Sequence, residues 1–436
     1  MKKLLLGCSL LCAYTLNAQQ FFLDDNEKYG VKDEYGTVIV PGRFDDKRNF
    51  KEGMAAVSIN GKWGYIDSTG KVVLRIDYDK CLDFYEGAGI VEFDGKQTFV
   101  DKRGRALFSE AFTRVRPYSE GIAAVYSYSA YLRTTMSLDA YKWGFINKKG
   151  QSITHLEYDE VESFRNGMAP VKKDGKWGYV NAAGRKVIPV KYDAARSFNE
   201  DGLAMVKLNG KYGYVDKTGR IVIPIKYESI QGMREGVTAV RSVTGWGYVD
   251  KNGKQIVDCQ YARVFPFQYG FAAVIPIQKC GIIDMSGKTI VSCKYDLCGV
   301  ITEKLAWVLI KKGNATKYGF ADLETGKEIV PPRYDVIGNR HIDGMLPLAL
   351  NGKYGLFNIY TRKEILAPEY DEFLEFSEGL CAAKKNGYWG YVNENGKVVI
   401  PFIYDQAESF FESAANVVKN GKKLRISMQG KILQTP

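Results

Sequence analysis

Side chains able to do chemistry are either scarce in this chain or recur too regularly to form a single reacting centre. Only two histidines occur, His155 and His341, and neither comes back at a fixed interval. A Ser-His-Asp or Cys-His centre needs partners within hydrogen-bond reach of the imidazole. No spacing in the sequence gathers such partners, so both histidines read as surface or structural. The many glycines are turn glycines, and no phosphate-cradling loop of the P-loop type occurs. An acidic residue follows a tyrosine at Asp79, Asp159, Asp193, Glu228, Asp296, Asp335, Asp371 and Asp405. A ladder of carboxylates could hold Ca²⁺ or a sugar, but a calcium loop wants several at short spacing. One carboxylate per unit reads instead as a turn cap bonded to nearby backbone N–H groups. Recurring turn lysines (Lys62, Lys96, Lys142, Lys176, Lys211 and Lys353) would form a positive stripe if the units stack, suited to an acidic polysaccharide or envelope surface. The competing reading is protection of strand edges. No catalytic residue, metal site or cofactor is expected.

Six cysteines lie beyond residue 18: Cys81, Cys259, Cys280, Cys293, Cys298 and Cys381. An even number in an oxidising compartment allows disulfides, with the connectivity open. Cys259 and Cys293 hold the same position in adjacent units and would bridge if their Cα atoms lie about 4.4–6.8 Å apart. A zinc site from four cysteines is disfavoured, because the spacing is not of the paired C-x₂-C kind.

One irregularity stands out as a candidate site. Val57 reaches Trp63 in a few residues, whereas Val125 reaches Trp143 only after an insertion. The inserted hairpin, residues 126–142, carries Tyr126, Tyr128, Tyr131, Arg133 and Tyr141. Insertions in repeat proteins project from one face, often the binding face. Exposed Tyr and Arg anchor interfaces or stack on sugars. The plainer reading is a longer hairpin using Tyr for strand pairing.

The elements that must carry these residues form a tandem repeat. An aromatic-Gly pair recurs at Tyr29, Trp63, Trp143, Trp177, Tyr212, Trp246, Tyr318, Tyr354 and Trp389, with degenerate copies at Gln97, Cys280 and Lys423. Most spacings are roughly 34–38 residues, the range of repeat arrays. Asn-Gly or Asp-Gly precedes most pairs, as at Asn60-Gly61, Asp174-Gly175 and Asn209-Gly210. Between β-prone runs this is the strongest short hairpin signal. A second Gly turn follows, at Gly70, Gly184 and Gly219 among others, then a run such as Lys186-Val187-Ile188-Pro189. Proline belongs at a strand end because it cannot donate to a ladder. Each unit therefore holds three short strands, and a fourth around the Tyr-Asp step. Alternation points Trp177 and Tyr179 one way and Gly178 and Val180 the other. The glycine implies close approach by a neighbouring backbone or ring. Aromatic contacts running from unit to unit are the simplest consequence, since no unit can bury its apolar face alone.

These residues resemble the WG-repeat family of bacterial proteins. The resemblance rests on Gly-Lys-Trp-Gly-Tyr-Ile-Asp at 61–67, Gly-Lys-Trp-Gly-Tyr-Val-Asn at 175–181, Val-Ile-Pro followed by Tyr-Asp, and Glu-Gly-hydrophobic-Ala. It spans nearly the whole mature chain. It implies an all-β array, propeller-like, and no common activity. The expected architecture is thus all-β, with about twelve tandem antiparallel units filling residues 19–436. Propeller-like rings are the first choice and an open twisted β-solenoid the alternative, because a propeller blade usually needs about 40 residues.

Residues 1–18 read as a signal peptide. Lys2 and Lys3 precede a short apolar stretch that ends at Ala18. Leu6-Gly7-Cys8 resembles a lipid-attachment box but stands too near the start for a usual h-region. No later run reaches a membrane span of about 20 apolar residues. Removing Lys2 and Lys3 lowers the formal charge from +11 to +9. The excess is spread along the chain, which argues against a nucleic-acid arm. The expectation is an exported scaffold, periplasmic, surface-associated or extracellular, binding a protein or glycan partner of the cell envelope without catalysis. The alternatives are a structural spacer of the envelope and a glycan-active enzyme with paired carboxylates on one rim.

Overall fold

The computed structural model describes residues 19–128, 141–338, 341 and 343–434, so the signal-peptide reading of 1–18 lies outside the described residues. Every regular element among the described residues is a strand. The strands form twelve antiparallel sheets, nine of four strands and three of three. Two compact units divide them, Met1–Ile225 and Lys226–Pro436.

The repeat of Glu160–Tyr192 shows how sequence makes a sheet. Its strands run in chain order: a, Glu160–Val161; b, Met168–Lys173; c, Lys176–Asn181; d, Lys186–Tyr192. Asp174-Gly175 closes the b–c hairpin with φ of 52° and 75°, which these residue types tolerate. Asn181 then accepts the backbone N–H groups of Ala183 and Arg185 at 3.1 and 3.0 Å, an Asx turn that starts strand d.

The aromatic-Gly and Ile-Pro pieces are two halves of one device. Trp177 pairs with Tyr192 and Tyr179 with Ile188, so one residue of strand c faces three of strand d. The extra residues of this bulge lie over Gly178, where a Cβ would stand 2.6 Å from the Ile188 carbonyl oxygen. Only glycine allows that approach. Pro189 therefore does not end the strand, contrary to the expectation. It sits inside strand d, within the bulge, where the ladder is already interrupted. The three-stranded sheets lack a strand at the start or in place of d. The latter are held by isolated bridges, such as Trp143 to Tyr158 and Ile146 to Ser152. His155 falls in that segment and is exposed.

In each unit one apolar cluster lies between each consecutive pair of sheets. Aromatic contact does pass from repeat to repeat, but through the Tyr of strand c and a later Phe, not through the Trp. Tyr179 meets Phe198 edge-on at 5.0 Å, and Tyr248 meets Phe267 at 4.9 Å. The Tyr hydroxyls also donate to the carbonyl just after the following strand a: Tyr179 to Arg196 at 2.7 Å, and Tyr391 to Glu408 at 2.7 Å.

Carboxylates clamp successive repeats. Glu52 accepts the N–H groups of Glu86 and Gly87 at 2.7 and 2.9 Å. Glu86 does the same for Glu120 and Gly121 at 2.7 and 2.8 Å, and Glu120 for Asn166 and Gly167 at 2.6 and 2.7 Å. This is the physical content of the recurring Glu-Gly step. Each such glutamate sits at a φ near +50°, so its side chain is aimed along the array at the cost of a backbone conformation disfavoured for a long side chain.

Candidate functional site

The recurring chemical groups are consumed by structure. Asp193 accepts Lys176 Nζ at 2.6 Å and the Gly210 N–H, in the next b–c turn, at 3.3 Å. Asp79, Asp296 and Asp335 repeat the arrangement with Lys62, Lys279 and Lys317. The lysine hydrogen bond, followed by the turn N–H, holds the Asp193 carboxyl below the usual carboxylate range. The aspartates thus clamp the next repeat's turn, not only their own. Lys62, Lys142, Lys176 and Lys353 are ion-paired with them, so these lysines do not make an unneutralised stripe. Among the described residues no three His, Cys, Asp or Glu side chains converge to hold a metal.

The cysteine reading needs correction. Cys259 and Cys293 are free, and the bridge joins Cys280 to Cys298, with Cα atoms 5.9 Å apart. The motif aromatic of strand c lies against the second residue of the following strand a: Trp63 shares a cluster with Cys81, and Trp177 with Ala195. Cys280 stands where Trp stands elsewhere, so a covalent bond replaces a ring contact. Cys81 and Cys381 are buried, which pushes both thiols up to about 12, and such thiols are inert.

Three of the five candidate hairpin residues are brought together, on the strands Ile122–Tyr128 and Tyr141–Asn147. Tyr131 and Arg133 lie outside the described residues. Tyr126 pairs with Trp143, and Tyr128 with Tyr141. Alternation puts all four rings on one face. Centroids are 5.2 Å apart for Tyr126–Trp143 and 5.8 Å for both Tyr126–Tyr141 and Tyr128–Tyr141. Tyr128 and Tyr141 are each 45% exposed, and Arg116 lies over Trp143 at 5.0 Å. Other repeats place a cation where Tyr126 stands: Lys172 over Trp177 at 5.7 Å and Lys384 over Trp389 at 5.9 Å. The insertion thus puts a ring, Tyr126, where those repeats place a lysine and extends the row to the exposed Tyr128 and Tyr141, while Arg116 still covers Trp143.

A second departure was missed from the sequence. In the second unit a cavity of about 700 Å³ is lined by Trp307, Tyr269, Phe265, Arg234, Glu235 and Gln268, among others. Its repeat has lost both motif rings, since Cys280-Gly281-Ile282 replaces the aromatic-Gly-aromatic triplet. Ile282 has no hydroxyl to offer the Gly299 carbonyl, as Tyr248 does at 2.5 Å for Phe265 one repeat earlier. The strand a that borders the cavity, Leu297–Val300, has four residues where most have two. Trp307 occupies a position held by Ala56, Ala124 and Ala273 elsewhere. Its ring fits because Gly299 lies opposite, where a Cβ would be 2.6 Å from Trp307 Nε1. The available signal was that, of six tryptophans, Trp307 alone is not followed by Gly.

No curated protein matches this chain. Among solved structures, the tricorn protease aligns with 96% of this chain and 56% of its own, at 10% identity and a TM-score of 0.27, so this chain spans little more than half of that one. A eukaryotic initiation factor aligns at 11% identity over 88% of this chain and 96% of its own, with a TM-score of 0.30. The extracellular domain of a putative one component system from B. thetaiotaomicron aligns at 8% identity over 96% and 77%, with a TM-score of 0.21. At such scores the likeness carries nothing over to this chain. The family model of the WG containing repeat matches ten times, at residues 29–63, 63–96, 143–177, 177–212, 212–242, 246–275, 281–313, 318–354, 354–389 and 389–422. Those windows contain the bulge residues Trp177, Gly178 and Tyr192 and the clamp residues Glu52 and Glu86, and the chain belongs to the WG containing repeat family.

Proposed function

We propose that this chain is an exported scaffold whose repeats serve packing and whose departures from the repeat serve binding, with no catalysis. The observation that carries this reading is the row of Tyr126, Tyr128 and Tyr141 beside Trp143, where the repeats of Trp177 and Trp389 place a lysine instead of Tyr126. Large amphipathic rings with two exposed members offer contact area at low entropy cost, suited to a protein or glycan partner of the cell envelope. The Cys280–Cys298 bridge suits an oxidising compartment, in keeping with the signal-peptide reading of 1–18. No helix is long and apolar enough to cross a membrane among the described residues. Four antiparallel strands in chain order are also the make-up of a propeller blade. Within each unit we therefore favour propeller-like stacking over an open solenoid, to be tested by small-angle scattering.

The binding test is affinity capture from the native envelope with the mature chain and a variant carrying Ala at Tyr126, Tyr128, Tyr131 and Arg133. A partner held by the parent and lost by the folded variant supports the hairpin as the recognition site. Equal capture by both places binding elsewhere. Capture by neither favours the spacer.

A further inference from the structure

The cavity in the second unit lies on other strands than the hairpin and calls for its own occupant. Trp307, Phe265 and Tyr269 give it aromatic walls, and Tyr269 is 49% exposed. Tyr269 holds a φ of 53°, where other repeats place Glu52, Glu86, Glu120 and Glu235. An aromatic residue in that conformation is costly, and Glu235 holds it by accepting the Tyr269 and Gly270 N–H groups at 2.8 and 2.9 Å. The disulfide fixes the far wall, since Cys298 belongs to the lining strand. Around the rings stand Arg234, Glu235 and Gln268, all exposed, and among the described residues no carboxylate pairs with Arg234. Planar donors and acceptors beside stacking rings match a ligand with an apolar face and a rim of hydroxyls. The volume falls in the range of small-ligand sites.

We propose that this cavity is a saccharide-binding site in which Trp307 and Tyr269 stack on a neutral sugar ring while Arg234, Gln268 and Glu235 bond its hydroxyls. The mixed charge of Arg234 and Glu235 favours a neutral sugar over an acid or an amine. The Gly299 carbonyl, without the phenolic donor its counterparts receive, offers one more acceptor to a hydroxyl. The site rests on the binding reading of the chain but not on the hairpin.

The test is calorimetric titration of the mature chain with glucose, galactose, mannose, N-acetylglucosamine, cellobiose and diacetylchitobiose, with N-acetylphenylalanine amide as the peptide-like control. Saturable binding of at least one sugar is expected, weakened at least tenfold by Trp307→Ala and severalfold by Arg234→Ala. Tyr35→Ala, on an exposed turn of the first unit, should leave that binding unchanged. Arg234 lies at the exposed rim, so its variant stays informative if Trp307→Ala fails to fold. No binding of any sugar overturns the proposal, as does a preference for the phenylalanine amide or binding unmoved by either cavity variant. Loss only in a variant with Tyr128 and Tyr141 changed to Ala overturns the cavity proposal, returns the site to the hairpin and leaves the scaffold reading intact.

Discussion

The repeat of residues 160–192 and the repeat of residues 263–295 share four strands in the same order, yet they use their third strand differently. In the first, Trp177-Gly178-Tyr179 spends both rings on packing and a hydroxyl on the next strand. In the second, Cys280-Gly281-Ile282 keeps the glycine and loses both rings. The bulge survives, because Cys280 still pairs with Tyr295 and Ile282 with Val291. In this pair of repeats the glycine goes with the bulge, while the rings join one sheet to the next. Where they are missing, a disulfide takes over the joint and a cavity opens beside it.

The comparison breaks most sharply at the glycine. Gly178→Val should cost about 3 kcal/mol or more, since the Ile188 carbonyl cannot yield to a Cβ, read as a lower denaturation midpoint. The paired change Cys280→Ser with Cys298→Ser comes next. Removing a bridge that spans 18 residues should cost about 3 kcal/mol, and reductant should lower the Tm of the parent but not of the variant. Tyr179→Phe should cost about 1 kcal/mol by leaving the Arg196 carbonyl without its donor. The converse change, Ile282→Tyr, should give the Gly299 carbonyl that donor and raise stability by about 1 kcal/mol. A loss there would show that the space is not that of the missing ring. The smallest effect concerns acid. The Asp193 and Asp296 carboxyls are lowered chiefly by Lys176 and Lys279, so their contribution is full above the unfolded-state carboxylate value of about 4. It is lost as pH falls through the lower folded values. Asp193→Asn should therefore make the acid limb of a stability profile shallower.

Local signals were legible in the sequence. Asn-Gly and Asp-Gly turns, the aromatic-Gly pair and the second Gly turn each act within one repeat, so period and spacing expose them. What failed depended on register between repeats. Pro189 was assigned to a strand end because the bulge over Gly178 appears only once strands c and d are paired. The Cys280–Cys298 bridge rests on strand c facing the following strand a, a relation that Trp63 with Cys81 could have revealed. The Glu52, Glu86 and Glu120 relay has the same origin, since its partners lie a repeat apart. Tyr126, Tyr128 and Tyr141 stand out in the sequence because an insertion disrupts the period. Trp307 was missed because it replaces a small residue in phase.

The most direct test of the claim that packing resides in the regular repeats and binding in the departures is a hydrogen-exchange footprint of the mature chain. Amide protection would be compared with and without solubilised envelope glycan. Protection gained at 122–128 and 141–147, and at 265–270 and 297–307, with regular repeats such as 160–192 unchanged, is the predicted result. Protection spread along the regular repeats, or none in either departure, would contradict it.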